Sequence, residues 1–220
     1  MSSIFEAAKR YYEDGFNVVA VKLSIASDGS VEKKPLVNWS AWINRRQTEE
    51  EFEAQPWSTA DGFAIVCSWP NKDGLYLAVV DLDVKKVSAD AKRRGEKLLD
   101  RFPITRIERT ISNGLHYDYL SRVKPQPVSE AHDSCALELI AGPKLCIMAP
   151  SKGYKNLNDN PPRVVEDAEE MFREIVRLPN QKLLKIEKEP KEKLERWLNQ
   201  NPRIIWFLYD LRNRREGVYD

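Results

Sequence analysis

Two aspartates at the end of an apolar stretch are the sharpest chemical signal in this sequence. The stretch is Leu75-Tyr76-Leu77-Ala78-Val79-Val80-Asp81-Leu82-Asp83, a pattern typical of a buried β-strand. Because a strand turns alternate side chains to opposite faces, Asp81 and Asp83 should point the same way, roughly 7 Å apart. Two such carboxylates repel each other unless a cation lies between them. The pattern is equally compatible with a metal site and with a polar strand end that caps the following helix.

A third carboxylate, Glu138, interrupts the apolar segment Ala136-Leu137-Glu138-Leu139-Ile140. A charged side chain that faces a core without a partner is costly, so Glu138 either faces solvent on an edge strand or joins a charged site. If it joins Asp81 and Asp83, the three carboxylates can hold two divalent ions for phosphoryl or nucleotidyl transfer. Ligands that are all oxygen atoms suit Mg²⁺ or Mn²⁺.

His116 is one of two histidines in the chain and follows the turn Ser112-Asn113-Gly114. It shares a strand face with Asp118 and lies among aromatic residues. A histidine in this setting is often structural. The alternative is an imidazole that donates a hydrogen bond to a triphosphate oxygen at the mouth of the site.

The three cysteines, Cys67, Cys135 and Cys146, lie in apolar stretches and include no C-x-x-C pair. We predict that they are buried free thiols. A zinc site built from His132, Cys135 and Cys146 would lack a fourth ligand, and its spacing fits no common pattern.

The elements that must position these residues alternate along the chain. Hydrophobic periodicity and capping residues predict helices over 3–14, 88–101 and about 165–177, with a further helix starting at Thr48. Strands are predicted over 16–21, 62–68, 75–83, 106–111, 115–120, 136–140 and 145–149. Ser112-Asn113-Gly114 is a strong hairpin signal between two of them. The fold class predicted is α+β with a mixed sheet flanked by helices.

Composition narrows the class of protein. The chain has 220 residues, 42% of them hydrophobic, which is enough for one large globular domain with a small appendage. Its net charge of +1 provides no basic field over the whole molecule, although a local basic groove would suffice for nucleic acid. No apolar run approaches the ~20 residues of a membrane span, and the N-terminus lacks a secretory signal. We therefore expect a cytoplasmic protein with no membrane partner.

The motifs occur in an order that resembles the bifunctional primase-polymerase (prim-pol) domain of the archaeo-eukaryotic primase superfamily, and most closely its archaeal plasmid type. Plasmid and phage replication proteins carry this domain. The resemblance spans roughly Ile4 to Arg177. Its motifs are 15–21, Lys33-Lys34-Pro35 with Trp39, 79–83, 112–117, 137–142 and 147–151.

The resemblance implies a primase-type catalytic fold, template-directed DNA synthesis and primer synthesis from nucleoside triphosphates. The implied partners are a DNA template and primer, and the implied cofactors are two divalent ions, Mg²⁺ or Mn²⁺. By the same resemblance, the metal ligands are Asp81, Asp83 and Glu138, while the incoming triphosphate is bound by Gly114, His116, Ser151 and Lys152.

Two departures from the family pattern affect the expected activity. The third acid is more often Asp in this family, so Glu138 is expected to reach the metals differently. Several relatives carry a zinc-binding stem, and this sequence has no set of ligands for one. The resemblance therefore does not imply that the chain initiates primers in the way those relatives do.

The region from Pro179 onward has a different character. Charged residues with little apolar content are followed by Trp197, Ile204 and Trp206, so we predict a catalytic domain over 1–178 and a linker with the start of a helical region over 179–220. The ending 214–220 resembles the entrance to a helical domain in longer replication proteins. We expect further C-terminal domains, and a helicase by resemblance only.

Two other functions remain open from the residues alone. The same metal clamp can activate water, which would make the protein a nuclease, and Tyr117 or Tyr119 could then act as a nucleophile. A third possibility is a non-catalytic module that binds an origin or a nucleotide, in which the acids only shape the fold.

Overall fold

A computed structural model describes residues 3–25, 31–84 and 87–177. The predicted α+β class is confirmed: two sheets of mainly antiparallel strands are accompanied by a few helices. The helices are α1 Ser3–Glu13, α2 Glu49–Glu53, α3 Ala89–Leu99, α4 His132–Cys135 and α5 Ala168–Val176. The strands are β1 Val18–Ile25, β2 Val31–Pro35, β3 Gly62–Val66, β4 Tyr76–Leu82, β5 Arg106–Arg109, β6 Leu115–Ser121, β7 Leu137–Ile140, β8 Leu145–Ile147, β9 Lys155–Asn156 and β10 Arg163–Val165. The predicted C-terminal extension, 179–220, lies outside the described residues.

Helix starts follow the local capping signals. Thr48 accepts a hydrogen bond from the backbone N–H of Glu51 at 3.2 Å, and the Glu51 carboxylate accepts one from the N–H of Thr48 at 2.9 Å. This reciprocal pair is a capping box that satisfies two otherwise unpaired donors of α2. Ser88 caps α3 by accepting from the N–H of Ala91 at 3.1 Å. Both predicted helix starts are confirmed.

The last helix begins later than predicted. Val165 pairs with Ser121 as the end of β10, and α5 starts only at Ala168. Asp167 is the N-cap, since its side chain accepts from the backbone N–H groups of Glu169 and Glu170. The prediction of a helix from Val165 was wrong because the apolar pair at 164–165 continues a strand ladder rather than a helical face.

The first sheet has the strand order β2-β1-β3-β8, and all of its pairs are antiparallel. The second has the order β7-β4-β6-β5-β9, with β10 running parallel to the far half of β6. The predicted hairpin around Ser112-Asn113-Gly114 is confirmed as β5 and β6. Within the second sheet, β4 is flanked by β6 and β7, so both of its edges are hydrogen-bonded.

The consecutive strands β7 and β8 belong to different sheets. β7 pairs with β4 in the second sheet, whereas β8 pairs with β3 in the first. The turn between them therefore crosses from one sheet to the other, and Gly142 adopts the positive φ of +58° that this reversal requires. As a result, Glu138 and Lys144 meet where the two sheets come together.

Three apolar clusters hold these layers in place. One lies between the two sheets and α1 and contains Leu77 and Val79 of β4. A second covers the opposite face of the second sheet, where Ala78, Val80 and Leu82 pack against α3 and α5. The third covers the outer face of the first sheet. The side chain of Asp81 therefore follows Leu77 and Val79 on the face of β4 that looks toward the first sheet.

The cysteine prediction is confirmed, because Cys67, Cys135 and Cys146 are all buried free thiols. Across residues 3–25, 31–84 and 87–177, the structure has no helix both long and apolar enough to cross a bilayer.

Gly95 provides a test of the packing of α3. A Cβ at this position would collide with the backbone carbonyl of Cys135, the last residue of α4. Although Ala is favoured over Gly in a helix by about 1 kcal/mol, overpacking against rigid backbone costs about 1–3 kcal/mol. We expect Gly95→Ala to lower the free energy of unfolding in urea titrations. Glu96→Ala, an exposed change on the same helix, is the control and should shift it by no more than about 0.5 kcal/mol. A Gly95→Ala protein as stable as wild type would contradict the close packing.

Candidate active site

The predicted site residues of the second sheet form a row across adjacent strands. In the strand register, Asp81 of β4 lies directly opposite Glu138 of β7 on one side and His116 of β6 on the other. The row continues through Glu108 of β5 to Asn156 of β9. Directly opposed residues in a sheet present their side chains on the same face, with Cβ atoms roughly 5 Å apart. Three strands that are distant in sequence thus bring Asp81, Glu138 and His116 together.

Each predicted acidic ligand lies beside a basic or imidazole side chain. The Oδ1 atom of Asp81 is 3.6 Å from Nε2 of His116. The Oδ2 atom of Asp83 is 3.3 Å from Nε2 of His132, and Oε2 of Glu138 is 3.3 Å from Nζ of Lys144. Asp83 and Glu138 are more exposed than Asp81, whose side chain retains 14% of its accessible surface.

Asp81 has an environment that disfavours its charge. Burial raises the pKa of its carboxyl to about 7, and the neighbouring carboxylates Glu138 and Asp83 act in the same direction. The positive charge of Lys33, on β2 of the first sheet, opposes this effect and lowers the pKa. A buried carboxyl beside two further carboxylates is ionised more easily when a cation binds among them.

His116 is almost fully buried, with 1% of its surface exposed. Burial, followed by the charge of Lys33, lowers the pKa of the imidazole to about 3, so the ring is neutral at physiological pH. Its Nδ1 atom lies 3.9 Å from Sγ of Cys146, and its ring centroid lies 5.8 Å from that of Tyr154. The ring is thus held between the two sheets with one nitrogen toward Asp81.

Gly114 lies where the hairpin passes closest to the end of β4. A Cβ on Gly114 would stand 2.5 Å from the carbonyl oxygen of Leu82, between the two predicted metal-binding aspartates. The N–H of Gly114 donates to Oγ1 of Thr110 at 3.0 Å, and Asn113 takes the left-handed φ of +62° at the tip. The absence of a side chain at Gly114 therefore allows the turn to approach the backbone at the end of β4.

Ser151 and Lys152 lie on the first sheet rather than in the acidic row. The hydroxyl of Ser151 accepts from the N–H of Phe63 at 2.9 Å and donates to its carbonyl at 3.2 Å. The N–H of Lys152 donates to the carbonyl of Asp61 at 2.8 Å. None of the hydrogen bonds or ion pairs described for residues 3–25, 31–84 and 87–177 joins either residue to the three carboxylates. Ser151 is buried, whereas Lys152 is exposed.

A buried charged cluster beneath His116 was not predicted from the sequence. Arg106 donates from Nε to Oδ2 of Asp118 at 2.7 Å and lies 3.7 Å from Oε1 of Glu108. Glu108 and Asp118 are fully buried, and their ligand atoms lie within 4.8 Å of one another and of His116. The available signal was the alternation of Arg106, Glu108 and Asp118 with apolar residues on paired strands, which places all three on the face of His116.

His132, Lys144 and Lys33 were also not assigned to the site from the sequence. Each reaches it from a different element, namely α4, the β7–β8 turn and β2. Tyr117 and Tyr119, considered above as nucleophiles, lie on the opposite face of β6 and pack in the cluster beneath α3 and α5. The hydroxyl of Tyr119 donates to the carbonyl of Pro103 at 2.7 Å. Neither tyrosine faces the acidic row.

The acidic residues fit divalent cations by the chemistry of their donors. Asp81, Asp83 and Glu138 offer only carboxylate oxygens, the ligands that Mg²⁺ and Mn²⁺ prefer. Burial is the main cause of the raised pKa of Asp81, so a cation bound beside this carboxyl would stabilise its charged form. The Glu108–His116–Asp118 group suits a metal less well, because the Arg106 guanidinium already supplies a positive charge to Asp118.

The sequence comparisons agree with the fold. Residues 8–181 match the family "Bifunctional DNA primase/polymerase, N-terminal" (Prim-Pol), which covers most of the chain and the whole acidic row. The chain belongs to this family, and the predicted family is thereby confirmed. Membership indicates DNA primase and polymerase activity in replication, with DNA and nucleotides as substrates, in a family whose enzymes generally depend on divalent metal ions. No curated protein matches the chain significantly.

Proposed function

We propose that the chain joins nucleotides into DNA on a template, as both primase and polymerase, by a two-metal mechanism. The observation that carries the proposal is the row in which Asp81 stands between Glu138 and His116 on three adjacent strands. Asp81, Asp83 and Glu138 would hold the two ions, Mg²⁺ or Mn²⁺. When bound, such ions lower the pKa of a primer 3′ hydroxyl and stabilise the pyrophosphate leaving group.

The remaining side chains have roles in binding the nucleotide. His116, neutral and with Nε2 toward the carboxylates, would donate a hydrogen bond to the incoming triphosphate. Gly114 would keep the hairpin close to the triphosphate without blocking it. Ser151, which bonds to the backbone of Phe63, would orient the following Lys152 toward the phosphates. The contacts of Ser151 and Lys152 lie on the first sheet, so their role depends on where the nucleotide extends.

Incorporation of labelled nucleotides tests the function. The protein is incubated with a primed template, labelled deoxynucleoside triphosphates and Mn²⁺, and the products are separated by length. Extension supports the proposal. Degradation of the primer would instead identify a nuclease, and a bound but unchanged substrate would identify a non-catalytic binding module. A second reaction with an unprimed template separates primer synthesis from extension.

The boundary of the catalytic unit is a separate prediction. All proposed metal and triphosphate ligands precede residue 178, and the family match ends at residue 181. We expect a chain truncated after Leu178 to extend a preformed primer at a rate within about threefold of the full chain at equal concentration and salt, because no proposed metal or triphosphate ligand lies beyond that point. A threefold change in rate is less than about 1 kcal/mol in barrier height. A truncated chain that is folded by circular dichroism but inactive would place part of 179–220 in the catalytic unit.

We also propose a biological setting for the chain. A plasmid or phage replication protein, located in the cytoplasm and carrying further C-terminal domains, accords with a prim-pol domain. Its affinity for DNA should fall steeply as the salt concentration rises, because contacts to phosphate release counterions.

A further inference from the structure

The cluster beneath His116 has one more negative charge than its protein neighbours neutralise. Glu108 and Asp118 are fully buried, and within the described residues the charged side chain that contacts both is Arg106. Two carboxylates and one guanidinium leave a net charge of −1 in a dry environment. An isolated buried charge is costly, and such a group usually takes up a proton or binds a cation.

Two buried carboxylate oxygens without a hydrogen-bond partner indicate where a proton would be held. Oε2 of Glu108 accepts from the N–H of Ala149 at 3.0 Å, and Oδ2 of Asp118 accepts from Arg106. The other oxygens, Oε1 of Glu108 and Oδ1 of Asp118, are buried and have no hydrogen-bond partner within the described part of the protein. A single proton between these two oxygens would give both a partner and would make the cluster neutral.

A cation explains the cluster less well than a proton. Arg106 holds Oδ2 of Asp118 at 2.7 Å, and a metal ion bound to the same carboxylate would lie beside the guanidinium and be repelled by it. Burial and the charge of Asp118 raise the pKa of Glu108 to about 8, and burial raises that of Asp118, so one proton is retained near neutral pH.

The location of the cluster links it to the site. Glu108 lies directly opposite His116 in the β5–β6 register, on the side away from Asp81. Within the described residues, Nε2 of His116 is buried without a hydrogen-bond partner and lies 3.6 Å from Oδ1 of Asp81. The ring is held mainly by the side chains packed around it, so the shape of the cluster beneath it decides where Nε2 points.

We propose that Glu108 is a positioning residue, which keeps one proton and donates it in a hydrogen bond to Asp118, so that the neutral cluster holds His116 opposite Asp81. The role in nucleotide binding rests on the proposed function, whereas the retained proton does not. The titratable groups that face the cluster from other elements are Tyr11 of α1, Cys67 after β3, Cys146 of β8 and Tyr154. Asp81 and Lys33 act on the neighbouring His116.

Two variants of Glu108 test whether a neutral hydrogen-bond donor at this position is enough to hold His116 in place. Glu108→Gln keeps a hydrogen-bond donor of the same shape, whereas Glu108→Ala removes the donor. We expect Glu108→Gln to keep the apparent KM for nucleotide within about threefold of wild type, and Glu108→Ala to raise it roughly 10- to 100-fold, the loss typical of a displaced binding group. Glu96→Gln, on the exposed face of α3, is the matched control. A Glu108→Gln protein as impaired as Glu108→Ala, or an unimpaired Glu108→Ala protein, would overturn the positioning role.

Thermal unfolding at several pH values tests for the retained proton without relying on activity. A carboxyl whose pKa is raised in the folded state binds a proton there that the unfolded chain has already lost, so stability falls as pH rises from about 4.5 to about 8. Glu108→Gln should remove part of this fall, so that its melting temperature exceeds that of wild type more at pH 8.5 than at pH 5. Asp81 contributes a similar pH dependence of stability to both proteins, so its contribution cancels when the two are compared. An equal difference in melting temperature at the two pH values would show that Glu108 does not retain a proton.

Metal binding distinguishes the cation alternative. Equilibrium dialysis with Mn²⁺ should give the same number of bound ions for wild type and Glu108→Gln, and a loss of one ion in the variant would overturn the proposal in favour of a metal. A wild-type protein that binds no nucleoside triphosphate, yet shows the pH-dependent stability difference, would overturn the proposed function and the positioning role while leaving the proton in place.

Discussion

Replacing Asp81 with Asn should abolish nucleotide incorporation while stabilising the metal-free protein. The carboxylate is one of the three proposed to hold the ions, and several kcal/mol of transition-state stabilisation depend on them, so the loss should exceed about 100-fold in kcat. Asp83→Asn and Glu138→Gln should have losses of the same order. The measurement is single-turnover primer extension in Mn²⁺ with saturating nucleotide.

The stability of the Asp81→Asn protein provides an independent readout. Because burial raises the pKa of Asp81 to about 7, the folded state retains a proton that the unfolded chain releases near pH 4, and stability falls as pH rises between these values. Above pH 7, the variant should therefore unfold at a higher temperature than metal-free wild type, with a gain on the order of 1–3 kcal/mol. Added Mn²⁺ should stabilise wild type but not the variant.

The exposed change Asp90→Asn on α3 is the matched control for these experiments, since it removes a carboxylate that pairs with Arg93 of the same helix. It should leave incorporation unchanged. Full polymerase activity in Asp83→Asn would exclude the metal assignment, and an unstable but active Asp81→Asn protein would indicate that the carboxylate is structural.

Replacing His116 with Ala should weaken nucleotide binding far more than template binding. A hydrogen bond to a charged group contributes about 1.5–3 kcal/mol, so the apparent KM for nucleotide should rise roughly 10- to 150-fold. The ring is neutral because burial lowers its pKa to about 3, and this contribution should therefore stay constant between pH 6 and pH 8. Primer extension over a range of nucleotide concentrations measures the effect, and fluorescence anisotropy measures template binding.

Removing a buried ring also leaves a cavity, so a stability control is needed. Tyr117→Phe changes the next residue of the same strand, on the opposite face of the sheet, and should alter neither KM nor kcat. Melting temperatures of both variants show how much of the His116→Ala effect comes from loss of the fold. An unchanged KM with normal turnover would return His116 to a purely structural role.

The helices and strands near the site were predictable because their signals are local. Ser88 and Thr48 cap the helices that they precede, and Asn113 with Gly114 forms the expected turn of a hairpin. A residue in a strand also has a predictable face, which is why Asp81 and Asp83 could be paired. Val165 shows the limit of this reasoning: two apolar residues before a helix could equally have joined it, and pairing with β6 decided otherwise.

Contacts across the sheet were less accessible to sequence analysis. Glu138 was connected to Asp81 by resemblance to a family, since nothing within 136–140 specifies its partner strand. Lys144 could not be predicted as the neighbour of Glu138, because β7 and β8 enter different sheets and the turn between them brings the two residues together. His132 reaches Asp83 from a short helix for which the sequence shows no strong periodicity.

The sequence by itself determined the candidate acids, the elements on which they lie and the family to which the chain belongs. Only the tertiary structure decided the register that aligns Glu138, Asp81, His116 and Glu108 in one row, and the burial of Glu108 and Asp118 beneath the imidazole. The physical reason is the range of each interaction. Capping, turns and alternation act between residues close in the chain, whereas the register follows from how whole apolar faces pack, and a shift by one residue would turn every side chain of a strand to the other face.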